Sequence, residues 1–224
     1  LTATLVREDG KEGDVFSLIG PKRYDAPWKE IEAQGYIAPA ECFEVRIDLL
    51  ESERLDYAMA SQDDRYRIAA TSPVKIPVIK KLMQKHQDEP TLIIGQYLEQ
   101  IYTVADALAV PFITGETPVD ERERLFEEFR TGRLSALVVS KVANFSIDLP
   151  EASVAIQISG SYGSRQEEAQ RLGRLLRPKQ DGRKASFYTL ITRDTVDQDF
   201  AQNRQRFLAE QGYSYQIFDA ETLN

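Results

Sequence analysis

Cys42 and His86 are the single cysteine and the single histidine in a chain of 224 residues. One thiol excludes an internal disulfide framework and any cysteine-built zinc site. One imidazole leaves His-Asp-Ser chemistry resting on His86, which sits in a Lys-rich helical stretch where an exposed side chain is the simpler expectation. No apolar run reaches the roughly 18 residues that a membrane-spanning helix needs. Leu1-Thr2-Ala3-Thr4-Leu5-Val6 has no charged region ahead of it and does not read as a signal peptide. Internal repeats and low-complexity segments are missing too. These absences point to a soluble intracellular protein with no cysteine-built metal site and no place in a membrane.

Positive charge is also scarce. Lys and Arg number 28 against 36 Asp and Glu, a net charge of -8 with a pI near 4.9. That balance argues against a nucleic-acid coat or tail protein. The scarcity reverses locally: Arg165, Arg171, Arg174, Arg177, Lys179, Arg183 and Lys184 stand close together against Glu167, Glu168 and Asp181. A groove that binds phosphate can exist on an acidic domain. Hydrophobic residues at 42% and aromatics at 9% suffice for a packed core. The length suits one large domain, or one domain with appendages.

The stretch from Gln166 to Pro178 organises the rest. Ala169, Leu172, Leu175 and Leu176 recur at helical spacing, which predicts a helix with one buried stripe. Gln170, Arg174 and Arg177 stand at i, i+4 and i+7, in a row along another face. Pro178 opposes a further turn. Gly173 costs roughly 1 kcal/mol against Ala in a helix, so its presence suggests a close approach. Arg171, Arg174 and Arg177 together invite an anion. The same row also serves as a solvated basic face paired with Glu167 and Glu168, and the spacing alone leaves both readings open.

In chain order, Leu1 to Val6 reads as a buried strand, and the missing Met suggests a piece of a longer polypeptide. Lys11 to Ala40 is turn-rich, with a short helix expected over Asp25 to Ala33, capped by Asp25 with Pro27 in its first turn. Glu41 to Leu49 alternates as a half-buried or edge strand does. Helical patterns follow over Glu51 to Ala70, Val74 to Lys85, Leu98 to Leu108, Val119 to Arg130, Glu167 to Arg177 and Val196 to Gln211. Strands are predicted at Thr91 to Gly95, Pro111 to Ile113, Ala136 to Val139, Ser153 to Ile158, Ala185 to Ile191 and Tyr215 to Phe218. Short apolar strands alternating with helices imply a parallel sheet covered on both faces. Ligands of such sheets gather at the carboxyl ends of the strands.

Several segments now bear a family resemblance. Gln170-Arg171-Leu172-Gly173-Arg174-Leu175-Leu176-Arg177 matches the Q-R-x-G-R-x-x-R signature of motif six in superfamily 2 helicases. Ser140-Lys141-Val142-Ala143-Asn144-Phe145-Ser146-Ile147-Asp148-Leu149-Pro150 resembles motif five, with Ser146 where the wider superfamily commonly has glycine. Asp148 taken alone also fits a residue that caps a local bend. Leu1-Thr2-Ala3-Thr4 resembles motif three, and Arg7-Glu8-Asp9 resembles a triplet of the xeroderma pigmentosum group B helicases of DNA repair. Further echoes are Ile19-Gly20-Pro21-Lys22, Gly35-Tyr36-Ile37-Ala38, Gly163 to Arg174, and Arg204 to Leu208 with Gln211-Gly212-Tyr213. The resemblance covers nearly the whole chain.

What it implies is the carboxyl-terminal half of such a helicase. Residues 1–10 are expected to end a first RecA-like domain, 11–40 to connect, and 41–224 to form the second RecA-like domain with motifs four, five and six. The implied fold is α/β, a RecA-like parallel sheet with helices on both faces, preceded by a remnant strand of the first domain. Only the stretch Glu51 to Ala70 stands where some archaeal relatives carry a thumb-like insertion.

The implied activity is ATP-driven, 3′-to-5′ opening of duplex DNA in repair or transcription. Arg174 and Arg177 are the implied catalytic arginines; Gln170, Arg171 and Asp148 contact the nucleotide or its partner domain. Ser140, Lys141 and Asn144 contact the DNA backbone, Arg7, Glu8 and Asp9 act at the DNA, and Thr2 and Thr4 couple hydrolysis to binding. Lys141 also suits a simple pairing with Glu151. No G-x-x-x-x-G-K-[ST] occurs and no acidic Walker B motif follows a suitable strand. ATP and Mg2+ are therefore expected to need a domain upstream of Leu1, and the chain alone to be inactive. Expected partners are DNA, that first domain, a repair nuclease and other repair or transcription factors. Two rivals remain at this point: a catalytically silent interaction module docking through Trp28, Tyr24 and Tyr36, and an unrelated α/β enzyme whose arginines bind a phosphorylated metabolite.

Overall fold

Strands of this chain show their period of two in what each side chain meets. The computed structural model describes residues 28–34, 36, 39–140, 152–160 and 184–223. Seven strands lie among them: β1 (Ala40–Ile47), β2 (Thr91–Gly95), β3 (Phe112–Ile113), β4 (Ala136–Ser140), β5 (Val154–Gln157), β6 (Ala185–Thr192) and β7 (Tyr215–Asp219). They form one sheet in the order β3-β4-β2-β5-β6-β1-β7, with every neighbouring pair parallel. The helices are α1 (Trp28–Ala33), α2 (Glu51–Met59), α3 (Gln62–Thr71), α4 (Lys75–Lys85), α5 (Leu98–Leu108), α6 (Val119–Arg130) and α7 (Val196–Glu210).

Leu92, Ile94, Leu137, Val139, Ala155 and Phe187 pack into one core with Leu125, Phe126 and Phe129 of α6 and Leu208 of α7. Their neighbours Ile93, Val138, Val154, Ile156, Tyr188 and Leu190 pack into a second with Val78, Ile79 and Leu82 of α4 and Ile101, Val104 and Ala105 of α5. The sheet is thus clothed on both sides, and β2, β4 and β5 are buried along their whole lengths. Burial on both faces explains their unbroken apolar runs.

Four expectations need correction. Glu41 to Leu49 was expected as a half-buried or edge strand, yet β1 lies between β6 and β7 and is buried from Cys42 to Val45. Its polar residues are satisfied within the fold: Arg46 Nε meets Glu44 Oε1 at 2.6 Å, and Gln205 Nε2 donates to Glu44 Oε2 at 3.0 Å. The helical stretch Glu51 to Ala70 is two helices. Ala60 is extended, and the Ser61 hydroxyl accepts from the Asp64 N–H at 3.3 Å, capping α3 and breaking the run. His86 is not simply exposed. Its side chain is 10% exposed, with Nδ1 2.8 Å from Glu89 and Nε2 2.9 Å from the Tyr188 hydroxyl. Trp28, assigned to a docking patch, is half-buried against the core, while Tyr36 is 70% exposed. Tyr24 lies outside the described residues.

Helix α1 rests on the far end of α7. The Trp28 N–H donates to Gln211 Oε1 at 3.1 Å, the Tyr213 hydroxyl donates to Glu32 at 2.9 Å, and Lys29 Nζ stands 4.3 Å from the Tyr213 ring centroid. No helix among the described residues is long and apolar enough to cross a membrane.

Candidate functional site

Connections diverge at the carboxyl ends of β2 and β5. The chain leaves β2 through α5 towards β3 on one side, and leaves β5 towards β6 on the other. Such a switch point opens a crevice where ligands of parallel sheets bind. Gln96 follows the end of β2, and Ser159 and Gly160 follow the end of β5. Ser140 closes β4 opposite Gly95. It is 2% exposed and its Oγ has no hydrogen-bond partner among the described residues.

The exit of β5 is held residue by residue. Lys75 Nζ, from the first turn of α4, donates to the Ile158 carbonyl at 2.9 Å and to Asp197 Oδ2 at 3.0 Å. Ser159 Oγ accepts from the Gln96 N–H at 2.8 Å and donates to Gln100 Oε1 at 2.7 Å, and Gln100 Nε2 donates to the Ala70 carbonyl at 2.8 Å. Tyr66 grips Gly160 from both sides: its hydroxyl donates to the Gly160 carbonyl and accepts the Gly160 N–H at 3.3 Å. Arg204 of α7 lies 3.4 Å from that hydroxyl through Nη1 and 3.7 Å from Asp197 Oδ1 through Nη2. Asp197 also accepts the Thr192 N–H at 3.1 Å, which ties the end of β6 into the same cluster.

All of this is dry. The Lys75, Asp197 and Arg204 side chains are each 1% exposed, and Tyr66 is fully buried. Burial pushes the Lys75 ammonium below its ordinary range, and the Asp197 carboxylate pulls it back. Burial raises the Tyr66 phenol to about 12, against the opposing pull of Arg204, so it stays a protonated donor at neutral pH.

Of the site residues expected from sequence, the structure describes one, Ser140. Thr2, Thr4, Arg7, Glu8, Asp9, Lys141, Asn144, Asp148, Gln170, Arg171, Arg174 and Arg177 lie outside the described residues, as do the expected motif-six helix and the strand at Leu1 to Val6. Lys75, Tyr66, Asp197 and Arg204 were not foreseen. A signal was there. Lys75 shares a helical face with Val78, Ile79 and Leu82, and Asp197 and Arg204 share one with Ala201 and Leu208. A charge on an apolar stripe has to be paired inside the fold.

Lys75 is committed to Ile158 and Asp197, so it is not the free lysine of a phosphate cradle. No cluster of three or more His, Cys, Asp or Glu able to hold a metal ion occurs among the described residues.

A seven-stranded parallel sheet with helices packed on both faces is the arrangement of a RecA-like domain. Dbp5 of Saccharomyces cerevisiae, in a structure described as bound to RNA and ADP BeF3, superposes with a TM-score of 0.68. It is 16% identical, over 98% of this chain and 50% of that one, a likeness of fold alone. Residues 31–223 match the ERCC3/RAD25/XPB C-terminal helicase family, and the chain belongs to that family. It is 66% identical over 224 residues to a DNA 3′-5′ helicase XPB of Kineococcus radiotolerans, covering 100% of this chain and 40% of that protein. It is 39% identical over 224 residues to the general transcription and DNA repair factor IIH helicase/translocase subunit XPB/SSL2 of Saccharomyces cerevisiae, covering 97% of this chain and 26% of that protein. The chain thus spans well under half the length of these relatives.

Proposed function

We propose that this chain is the second RecA-like half of an ATP-driven, 3′-to-5′ DNA helicase or translocase that opens duplex DNA in repair or transcription. The observation that carries the reading is 66% identity over 224 residues to a protein named DNA 3′-5′ helicase XPB. In this reading the chain's own arginines do the work across a cleft. Arg174 and Arg177 offset the charge that spreads over the γ-phosphate of a nucleotide held by the preceding domain, a role worth roughly 10³ to 10⁵ in rate for arginine fingers. Guanidinium suits the task because it is planar and always charged. Gln170 and Arg171 bridge to the preceding domain, and Asp148 approaches the ribose. ATP supplies the driving reaction, with Mg2+ held upstream.

Ser140 ends buried β4, Lys141 and Asn144 come next in the sequence, and their hydroxyl, ammonium and amide groups suit phosphate oxygens. The unpartnered Ser140 hydroxyl supports that assignment as a donor still to be used. Arg7, Glu8 and Asp9 assist strand separation, and Thr2 and Thr4 link hydrolysis to DNA binding. The partners in this reading are DNA, the first RecA-like domain, a repair nuclease and other repair or transcription factors. It acts in the bacterial or archaeal cytoplasm, or in a eukaryotic nucleus.

The isolated chain is expected to show no ATPase activity with or without DNA, because phosphate cradle and magnesium ligand come from the other half. Joined to the preceding domain of its full-length protein, it should hydrolyse ATP with DNA stimulation. Turnover by the isolated chain that survives removal of contaminants contradicts this reading.

A further inference from the structure

We propose that the outer face of α2 is a docking site for a basic, amphipathic helical segment of a second protein. The site does not depend on the helicase reading. Helix α2 is mounted with its polar side inward. Glu53 Oε2 accepts from the Ser72 hydroxyl at 2.7 Å and from the Leu50 N–H at 3.2 Å. One turn on, the Tyr57 hydroxyl accepts the Val196 N–H at 2.9 Å. Arg65 of α3 donates to the Tyr57 and Ala58 carbonyls at 3.2 and 2.9 Å, closing the carboxyl end of the helix. No residue of α2 is itself buried.

Positions 55 and 59 each follow an inward residue by two, about 200° around the helix, so Leu55 and Met59 point away from the domain. Leu55 is 66% exposed and Met59 80%, one turn apart, with exposed Ala58 beside them. An ordinary surface helix does the reverse and turns its apolar stripe to the core. Rolling α2 to hide the two side chains would break the bonds of Glu53 and Tyr57. The apolar face is thus held outward by hydrogen bonds made on the opposite side.

Charge selects the occupant. Between residues 50 and 64, Glu51, Glu53, Asp56, Asp63 and Asp64 stand against one cation, Arg54. Glu51, one turn before Leu55, and Asp56, next to it, are both exposed, as are Asp63 and Asp64 at the start of α3. Such a margin repels a phosphate backbone and a second copy of the same face, and it attracts Lys and Arg. A helix with one apolar stripe edged by Lys or Arg matches both features. Met59 adapts to such a partner without a preformed pocket. Scattered apolar side chains on a surface need no explanation. Here it is the fixed outward orientation, together with the acidic margin, that makes a site.

The test uses the full-length protein and a fluorescein-labelled Leu/Lys peptide of about 18 residues, long enough to form an amphipathic helix. Fluorescence anisotropy is read across a salt series, with a peptide of the same composition in scrambled order as control. The expected result is saturable binding of the amphipathic peptide and much weaker binding of the scrambled one. Leu55→Ser together with Met59→Ser should weaken binding by about 10-fold or more, the effect of withdrawing two buried apolar side chains. The Tm of that double variant should stay unchanged, because both side chains are exposed in the free fold. Glu51→Gln together with Asp56→Asn should weaken binding less and flatten its salt dependence. Equal binding of the two peptides, undiminished binding by the Leu55→Ser, Met59→Ser protein, or no binding at all overturns the proposal. So does a dimer in sedimentation that this double variant dissolves, which makes the occupant a second copy. Loss of single-stranded DNA binding in the same variant overturns it in favour of nucleic acid.

Discussion

Lys75 and Asp197 stand 3.0 Å apart with both side chains 1% exposed, and at that depth their pairing has lopsided consequences. Forming it required two charges to leave water, which cancels much of their attraction. Breaking it strands a carboxylate whose other cationic neighbour, Arg204, is 3.7 Å away. Lys75→Ala should therefore destabilise the fold by about 3 to 5 kcal/mol in urea unfolding, the usual cost of an uncompensated buried charge. A change below about 1 kcal/mol would show that Arg204 alone satisfies Asp197. Tyr66 makes a second residue-scale prediction. Its phenol is raised from 10.0 to about 12 in the fold, so above pH 10 the unfolded chain releases this proton first and stability falls. That contribution is intact below pH 10 and shrinks by about 3 kcal/mol between pH 10 and 12. Tyr66→Phe should flatten the decline in stability over this range, and parallel curves for the two proteins would contradict the assignment. Neither residue stood out in the sequence, because a lone Lys or Tyr says nothing about depth until its helical face is compared with its neighbours'.

Elements were the most legible level. The ranges Leu98 to Leu108 and Val119 to Arg130, expected from apolar spacing, are those of α5 and α6. Local periodicity encodes them, and packing only adopts it. The rank of β1 in the sheet was not legible, since strand order is fixed by crossovers between distant segments and not by the strand's own alternation. The break at Ala60 and Ser61 was missed because high charge over Glu51 to Ala70 hid a capping serine. One element shows a local compromise. Ala109 ends α5 in the left-handed region, φ 53° and ψ 44°, and its N–H bonds back to the Ala105 and Asp106 carbonyls. A Cβ there is strained, and glycine is the residue that relieves it. Ala109→Gly is expected to stabilise the fold by about 0.5 to 1 kcal/mol, after the added flexibility of the unfolded chain is offset. A lower urea midpoint for the variant would mean that the alanine methyl contributes packing at this exposed turn.

Among the described residues, helices cover both faces of the sheet, and the buried network around Tyr66 lies at the carboxyl ends of β2 and β5. The parallel α/β architecture was readable because buried strands and amphipathic helices alternate along the chain. The family was readable from motif wording, above all Gln170 to Arg177. What remained hidden was how the strand exits are held, since that depends on side chains arriving from α3, α4, α5 and α7 at once. The acidic balance of -8 fits a domain whose positive charge is concentrated near one segment. In the proposed function this chain lends arginines to a nucleotide held by a preceding domain. Arg174→Ala in the full-length protein tests it most directly, by DNA-stimulated kcat measured beside the urea midpoint. The account predicts a kcat reduced by roughly 10³ or more with stability nearly unchanged. Turnover at the wild-type rate would make Arg174 a surface charge and contradict the account.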